Sequence, residues 1–183
     1  MITHLPALER IAQPWKNGGG ITREVAIFPG DAGMDDFLWR VSMADVTEPG
    51  PFSCFEGIDR HLTVLSGRLR IDQPDRDLPD RIHLLDTGDC LAFAGDLPIH
   101  ATPLLPVIDL NVMTRREQVS AEVRPISSGF ILPTDMVLLL ATAPMIVTAN
   151  GQRYALQPYD ALKFEALEGE PVSASEGYLI TFR

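Results

Sequence analysis

Positive charge, cysteine and histidine are all scarce in this 183-residue chain, and each shortage removes a class of function. Fifteen Lys and Arg stand against 25 Asp and Glu, for a formal net charge of −10 with the four His counted neutral. Nucleic acid and anionic membrane surfaces require clustered cations, so neither is expected as a partner. Cys54 and Cys90 are the only cysteines and form no CxxC pair. One bridge between them is the most they allow, and nothing else in the sequence suggests export. No basic-then-apolar leader opens the chain. No apolar run approaches the roughly 20 residues of a membrane span, and the best, Met136 to Ala143, is strand length. Low-complexity tracts are absent. A soluble globular protein of the cytoplasm is expected, and at this length it buries its core without a staple.

What is present reads as short strands. Thr22 to Phe28 alternates and is broken by Pro29-Gly30-Asp31-Ala32-Gly33. Phe37 to Val46 puts Phe37, Trp39, Val41 and Met43 on one face and Leu38, Arg40, Ser42 and Ala44 on the other. Arg60 to Asp72 reads as a hairpin around Ser66-Gly67. Arg81 to Leu85, Cys90 to Phe93, Pro98 to Leu104 and Val107 to Met113 follow, the last two separated by Pro106. After about residue 125 a second series runs through Met136 to Ala141, Met145 to Ala149, Gln152 to Leu156, Ala161 to Phe164 and Gly177 to Arg183. A turn or two near the N-terminus or around Thr114 to Val119 is the only helix the pattern suggests. Fifteen Pro and 14 Gly suit many strands with tight corners. Thr87-Gly88-Asp89-Cys90 and Gln157-Pro158-Tyr159-Asp160 echo one another, each turning into small and aromatic strand residues. The echo points to two jelly-roll units, and regular short strands point to an all-β sandwich or barrel.

Trp15-Lys16-Asn17-Gly18-Gly19-Gly20 leading into Ile21-Thr22-Arg23-Glu24 carries the densest local chemistry. Glycines admit positive φ and close approach of the backbone to a neighbour. No Gly-Lys-Ser/Thr follows, which excludes a P-loop. The run precedes a strand and does not link a strand to a helix, which excludes a dinucleotide fingerprint.

Leu62-Thr63-Val64-Leu65-Ser66-Gly67, Gly88-Asp89 and Phe93-Ala94-Gly95-Asp96 resemble the two blocks of a cupin barrel. The Trp15 to Gly20 run, Thr22-Arg23-Glu24, Trp39-Arg40-Val41-Ser42, Gly50-Pro51-Phe52-Ser53, Gly57-Ile58-Asp59-Arg60 and Asp109-Leu110-Asn111-Val112-Met113 together resemble the HutD/Ves family. These blocks span about residues 12 to 116 in order. The resemblance implies a bicupin, with an N-terminal lobe over 1–120 that carries the site and a degenerate C-terminal lobe over 121–183, strands being shared between them. It also implies a bacterial link to histidine utilisation.

Metal-binding cupins supply two His one residue apart, a Glu seven residues before the hairpin Gly, and a late His. Here Arg60 stands at the Glu position, and the His pair falls at Ser53 and Phe55 or at Cys54 and Glu56. A guanidinium is only a donor and ligates no cation. His100 sits near the late His position but is alone, and His61, beside Arg60, faces the other way. No metal or other cofactor is expected. No Gly-x-Ser-x-Gly elbow supports a triad of Ser53 and His100. Arg115-Arg116-Glu117 reads as a solvated connection between lobes.

Arg40 and Ser42 share a strand face, as do Thr22 and Glu24, and as do Asp109, Asn111 and Met113. A buried Arg without a partner is very costly. Either Arg40 and Arg60 pair internally with Glu24, Asp59 or Asp109, or they wait for an anionic ligand. With the family resemblance, the reading is a binding protein for a small carboxylate such as urocanate or formylglutamate. Arg40 and Arg60 hold the carboxylate. Asn111, Ser42 and Thr22 donate or accept around it, beside Met113. Lys16, Asn17, Gly18 and Gly19 form a rim, and Glu24 and Asp59 orient the arginines. A metal-free isomerase or hydrolase with Glu24 or Asp59 as base is the second reading. A structural or stress protein whose pocket is self-filled is the third. A homodimer through sheet edges is also expected.

Overall fold

The computed structural model describes residues 1–15, 18–74, 80–133 and 136–183. The chain opens with β1 (Ile2–Leu5) and a 3-10 turn (Ala7–Glu9). Then come β2 (Ala12–Pro14), β3 (Gly20–Phe28), β4 (Trp39–Val46), β5 (Gly50–Pro51), β6 (Ile58–Gln73), β7 (Arg81–Asp86), β8 (Cys90–Ala94) and β9 (His100–Arg115). The rest is β10 (Ala121–Ile126), β11 (Phe130–Ile131), β12 (Met136–Ala141), β13 (Met145–Ala149), β14 (Gln152–Leu156), β15 (Ala161–Glu165), β16 (Pro171–Ser173) and β17 (Gly177–Phe182). Among the described residues there is no α-helix, and none of their helices is long and apolar enough to cross a membrane.

Two compact units form, Ile11–Gln118 and a second made of Met1–Arg10 with Val119–Arg183. The expected boundary of 1–120 therefore needs correction at its start. Residues 1–10 join the later unit because β1 pairs antiparallel with β15, Ile2 opposite Phe164 and Leu5 opposite Ala161. Edge pairing satisfies backbone groups that a free terminal segment leaves to water.

In the unit Ile11–Gln118 the strand order is β2-β3-β4-β9-β6-β7, with β5 on β9 and β8 on β6. β6 and β9 are its frame, and here the expected hairpin at Ser66-Gly67 is overturned. β6 runs unbroken for 16 residues along β9, from Ile58 opposite Arg115 to Asp72 opposite His100. Register shifts between Val64 and Leu69 bend it, so its other edge pairs β8 before the bend and β7 after it. A bulge that bends a strand is how one strand serves two sheets. Gly67 makes the bend: its φ is +94°, and a Cβ there would lie 2.1 Å from the Pro106 carbonyl oxygen. Pro106 likewise does not end its strand; β9 passes through it. Leu62, Val64, Leu69, Ile71, Ile99 and Val107 form the core beside this corner.

The second unit stacks the sheet β1-β15-β12-β17-β10 against β11-β16-β13-β14 over one core containing Val137, Leu139, Val147, Leu162, Phe164 and Leu179. Asn150 and Gly151, at φ +49° and +70°, close the two-residue hairpin between β13 and β14. The Tyr159-Asp160 corner is tied by its own carboxylate, which accepts from the N–H of Ala7 at 2.7 Å and of Gln157 at 2.9 Å.

Candidate functional site

A cavity of about 630 Å³ opens in the unit Ile11–Gln118. Pairing register decides what lines it. Arg40 and Arg60 both lie opposite Met113, from β4 and β6 on either side of β9. One row on, Ser42 and Leu62 flank Asn111, and in the next Ala44 and Val64 flank Asp109. Directly opposed residues share a face, so all three rows present their side chains to one side of the sheet. Successive rows are about 6.6 Å apart, two residues of strand rise. Arg40, Ser42, Ala44, Arg60, Asp109, Asn111 and Met113 all line the cavity. Gln13, Pro14, Met34, Pro51 and Ser53, all exposed, form its mouth.

The two guanidiniums are buried and differently held. Arg40, 5% exposed, donates Nε–H to Glu24 Oε2 at 2.7 Å and Nη1–H to Ser42 Oγ at 3.3 Å. Glu24 reaches it because β3 bulges between Glu24 and Ala26, which keeps Glu24 opposite Ser42 and then brings Ile27 opposite Arg40. Arg60, 6% exposed, has no ion pair among the described residues. It donates Nε–H and Nη2–H to Asn111 Oδ1 at 3.1 and 2.8 Å, and Nη1–H to the Ser53 carbonyl at 3.3 Å. Phe52 and Phe93 each approach its guanidinium carbon to 5.1 Å, and Phe55 to 5.8 Å. Ring faces soften the burial of a cation without neutralising it. Burial pulls Arg60 down to about 10, Asp109 pulls the other way, and Arg40 adds repulsion. It stays protonated at neutral pH.

Asp109 is fully buried. Its Oδ1 accepts from Asn111 Nδ2 at 3.2 Å, and its Oδ2 meets no donor among the described residues. Burial raises this carboxyl to about 7 against the pull of Arg60, the Asn111 amide and the Ala44 backbone N–H. Sequence reasoning had it only as a possible partner for an arginine. Its place two residues before Asn111 on one strand face was the available signal.

The expected residues divide as follows. Thr22, Arg40, Ser42, Arg60, Asn111 and Met113 are brought together at the cavity, with Glu24 behind Arg40. Asp59 is not: alternation along β6 turns it away from Arg60, and it accepts from Arg116 Nε at 2.8 Å instead. The orienting oxygen for Arg60 belongs to Asn111. Arg116, solvated at the connection as expected, also reaches Asp96 and the Ile58 carbonyl. Lys16 and Asn17 lie outside the described residues. Gly18 N–H donates to the Trp15 carbonyl at 3.0 Å, and the Gly19 carbonyl accepts from the N–H of Thr47 at 3.0 Å and Glu48 at 3.3 Å. At Gly20 a Cβ would sit 2.6 Å from the Asp45 carbonyl oxygen and 3.1 Å from the Trp15 ring. The missing side chain at Gly20 thus lets the Trp15 ring pack against the backbone there, where its Nε1–H donates to Thr22 Oγ1 at 2.7 Å and Trp15 lines the cavity. The aromatic wall of Phe52 and Phe55 was missed because it comes from a loop with no strand period.

The HutD family model matches residues 8–180. An uncharacterised 21.2 kDa Pseudomonas putida protein of the hutC 3' region is 35% identical over 161 residues, 83% of this chain and 80% of that one. Protein Ves of Citrobacter koseri is 38% identical over 112 residues, 60% of this chain and 56% of its own length. The solved structure of HutD from Pseudomonas fluorescens SBW25 superposes with a TM-score of 0.85 at 28% identity, over 100% of this chain and 98% of that one. At 8% and 11% identity, Lactobacillus farciminis oxalate decarboxylase and Escherichia coli pirin YhhW with nickel(II) share the fold at a TM-score of 0.67 each. The fold is the cupin β-barrel. A cation does not fit the residues here. Among the described residues two guanidiniums face the cavity, Asp109 is the only acid that lines it, and no cluster of three His, Cys, Asp or Glu could hold an ion.

Proposed function

The chain belongs to the HutD family, and from that membership and the chemistry of its barrel we propose that it binds a small carboxylate metabolite between Arg40 and Arg60. The observation that carries the proposal is Arg60, a buried guanidinium bonded only to neutral oxygens at the wall of an open cavity. A buried cation is expensive until an anion meets it, and a carboxylate matches a guanidinium fork with both oxygens. Arg40 repels Arg60 across the same space, a repulsion that an anion between them relieves. Ser42, Thr22 and Asn111 supply neutral hydrogen-bonding groups around that position.

The hutC neighbourhood of the Pseudomonas putida relative directs the choice of acid toward histidine utilisation, with urocanate and formylglutamate first. Binding is favoured over turnover by the state of the two acids named as bases. Glu24 is engaged by Arg40, and Asp59 is engaged by Arg116 away from the cavity. An open 630 Å³ cavity also speaks against a self-filled barrel.

The test is thermal unfolding against urocanate, formylglutamate, histidine and glutamate, each with and without EDTA. Ligand at about 100 times its Kd adds roughly 2.7 kcal/mol, a rise of about 5 to 11 °C for a chain of this size. The expected result is a rise for one acid that EDTA leaves alone and Arg60→Met abolishes while the protein stays folded. A flat panel, or a rise that survives in Arg60→Met, overturns the reading.

A further inference from the structure

The carboxylate reading leaves one cavity residue without a task. Asp109 lies two rows from Arg40 and Arg60 on the same sheet face, fully buried, with Oδ1 taken by Asn111 and Oδ2 bare. A buried acceptor oxygen without a donor costs its full desolvation. Asp109 lines the cavity, but this oxygen is closed off from it, so a ligand meets its charge and not its hydrogen bond. The groups around it define the balance. Arg60 faces it from β6. Asp45 and the Ala44 N–H act on it from β4, and Asn111 from its own strand. Arg40, also on β4, has its charge matched by Glu24 of β3. With a proton on Asp109 the cavity charges sum to one net positive; without it they cancel, and an anion faces any incoming anion.

We propose that Asp109 sets what the cavity accepts: protonated, it leaves Arg60, linked to it through Asn111, as the unmatched cation of the cavity, so that the carboxylate enters together with one proton. This rests on the reading of the cavity as a carboxylate site and deepens it. No bond is made or broken other than the O–H, and the proton comes from solvent whenever Asp109 is ionised beforehand. The carboxyl's rise to about 7 puts the switch inside an accessible pH range.

Calorimetric titration of the full chain with formylglutamate and with propionate, at pH 6.0 and pH 8.5, tests this, since both acids stay ionised throughout. The protonated fraction of Asp109 falls from about nine-tenths to about 3% between these values, so affinity is expected to drop about 30-fold. At pH 8.5 the binding heat is expected to vary with the buffer's ionisation enthalpy, reporting a proton taken up. Asp109→Asn, whose amide is neutral at every pH, is expected to lose the pH dependence. Equal or tighter binding at pH 8.5, or a pH dependence that persists in Asp109→Asn, overturns the role of Asp109 while the carboxylate reading stands. If Asp109→Asn does not fold, the buffer series on the unaltered chain decides. No binding of either acid at either pH removes both.

Discussion

Replacing Asp109 with an asparagine is expected to stabilise the protein progressively as pH rises from 5 to 7. The carboxyl ordinarily titrates near 3.8, and burial holds it at about 7 in the folded chain. Between those values the folded state keeps a proton that the unfolded state has released. The folded chain is then the one binding more protons, so stability falls with rising pH and levels off above about 7. Each unit of pH in that window costs about 1.36 kcal/mol. From pH 5 to pH 8 the loss is about 3 kcal/mol, a large part of the roughly 5–15 kcal/mol of a typical fold. The amide introduced by Asp109→Asn has no proton to lose, so that variant's curve lacks this component. Urea unfolding of both proteins at pH 5, 6, 7 and 8, followed by Trp fluorescence, isolates the difference. Any fixed effect of the amide cancels when each protein is referred to its own value at pH 5. The stability gap should widen by about 3 kcal/mol in favour of Asp109→Asn. Parallel curves would show that Asp109 is not held protonated. Such curves are also what an Asp109 kept ionised by Arg60 gives, since both states then carry the charge throughout this window.

Two further substitutions test the frame and the second unit. Gly67→Ala places a Cβ against the Pro106 carbonyl at a φ of +94° and is expected to cost about 2–4 kcal/mol in urea unfolding, with neighbouring Ser66→Ala within about 0.5 kcal/mol; equal effects would refute the corner assignment. Burial works to raise the Asp160 carboxyl, but hydrogen bonds from Ala7, Gln157 and His4 outweigh it and hold it below its usual range, a stabilisation present near neutral pH and lost on acidification. Asp160→Ala leaves the Ala7 and Gln157 N–H groups without that acceptor and is expected to cost about 2–3 kcal/mol and to speed amide exchange in β1, whereas unchanged exchange there would refute the tie.

How far the sequence carried the account depends on whether a feature is local. Met136–Ala141, Met145–Ala149 and Gln152–Leu156 were legible to the residue, because apolar runs between Gly, Pro and Asn signals are local. Strict alternation placed Arg40 with Ser42, and Asp109 with Asn111 and Met113, on the faces they occupy. Ser66-Gly67 was misread because a glycine with positive φ serves a hairpin turn and a strand bulge equally well, and only the long partner β9 distinguishes them. Asp59 was misassigned although the alternation that turns His61 away from Arg60 turns Asp59 away equally, since charges adjacent along a strand do not face each other. The bare oxygen of Asp109 and the joining of β1 to β15 depend on pairing across more than 40 and 150 residues, respectively, which no local window contains.

The central claim is that a carboxylate sits against Arg40 and Arg60, and a crystal structure with a bound acid tests it most directly. Crystals grown with formylglutamate or urocanate should show the carboxylate oxygens within hydrogen-bond distance of both guanidiniums, with Arg60 still held by Asn111. An acid bound elsewhere, or a cavity in which both arginines stay as they are beside an unengaged ligand carboxylate, would contradict it.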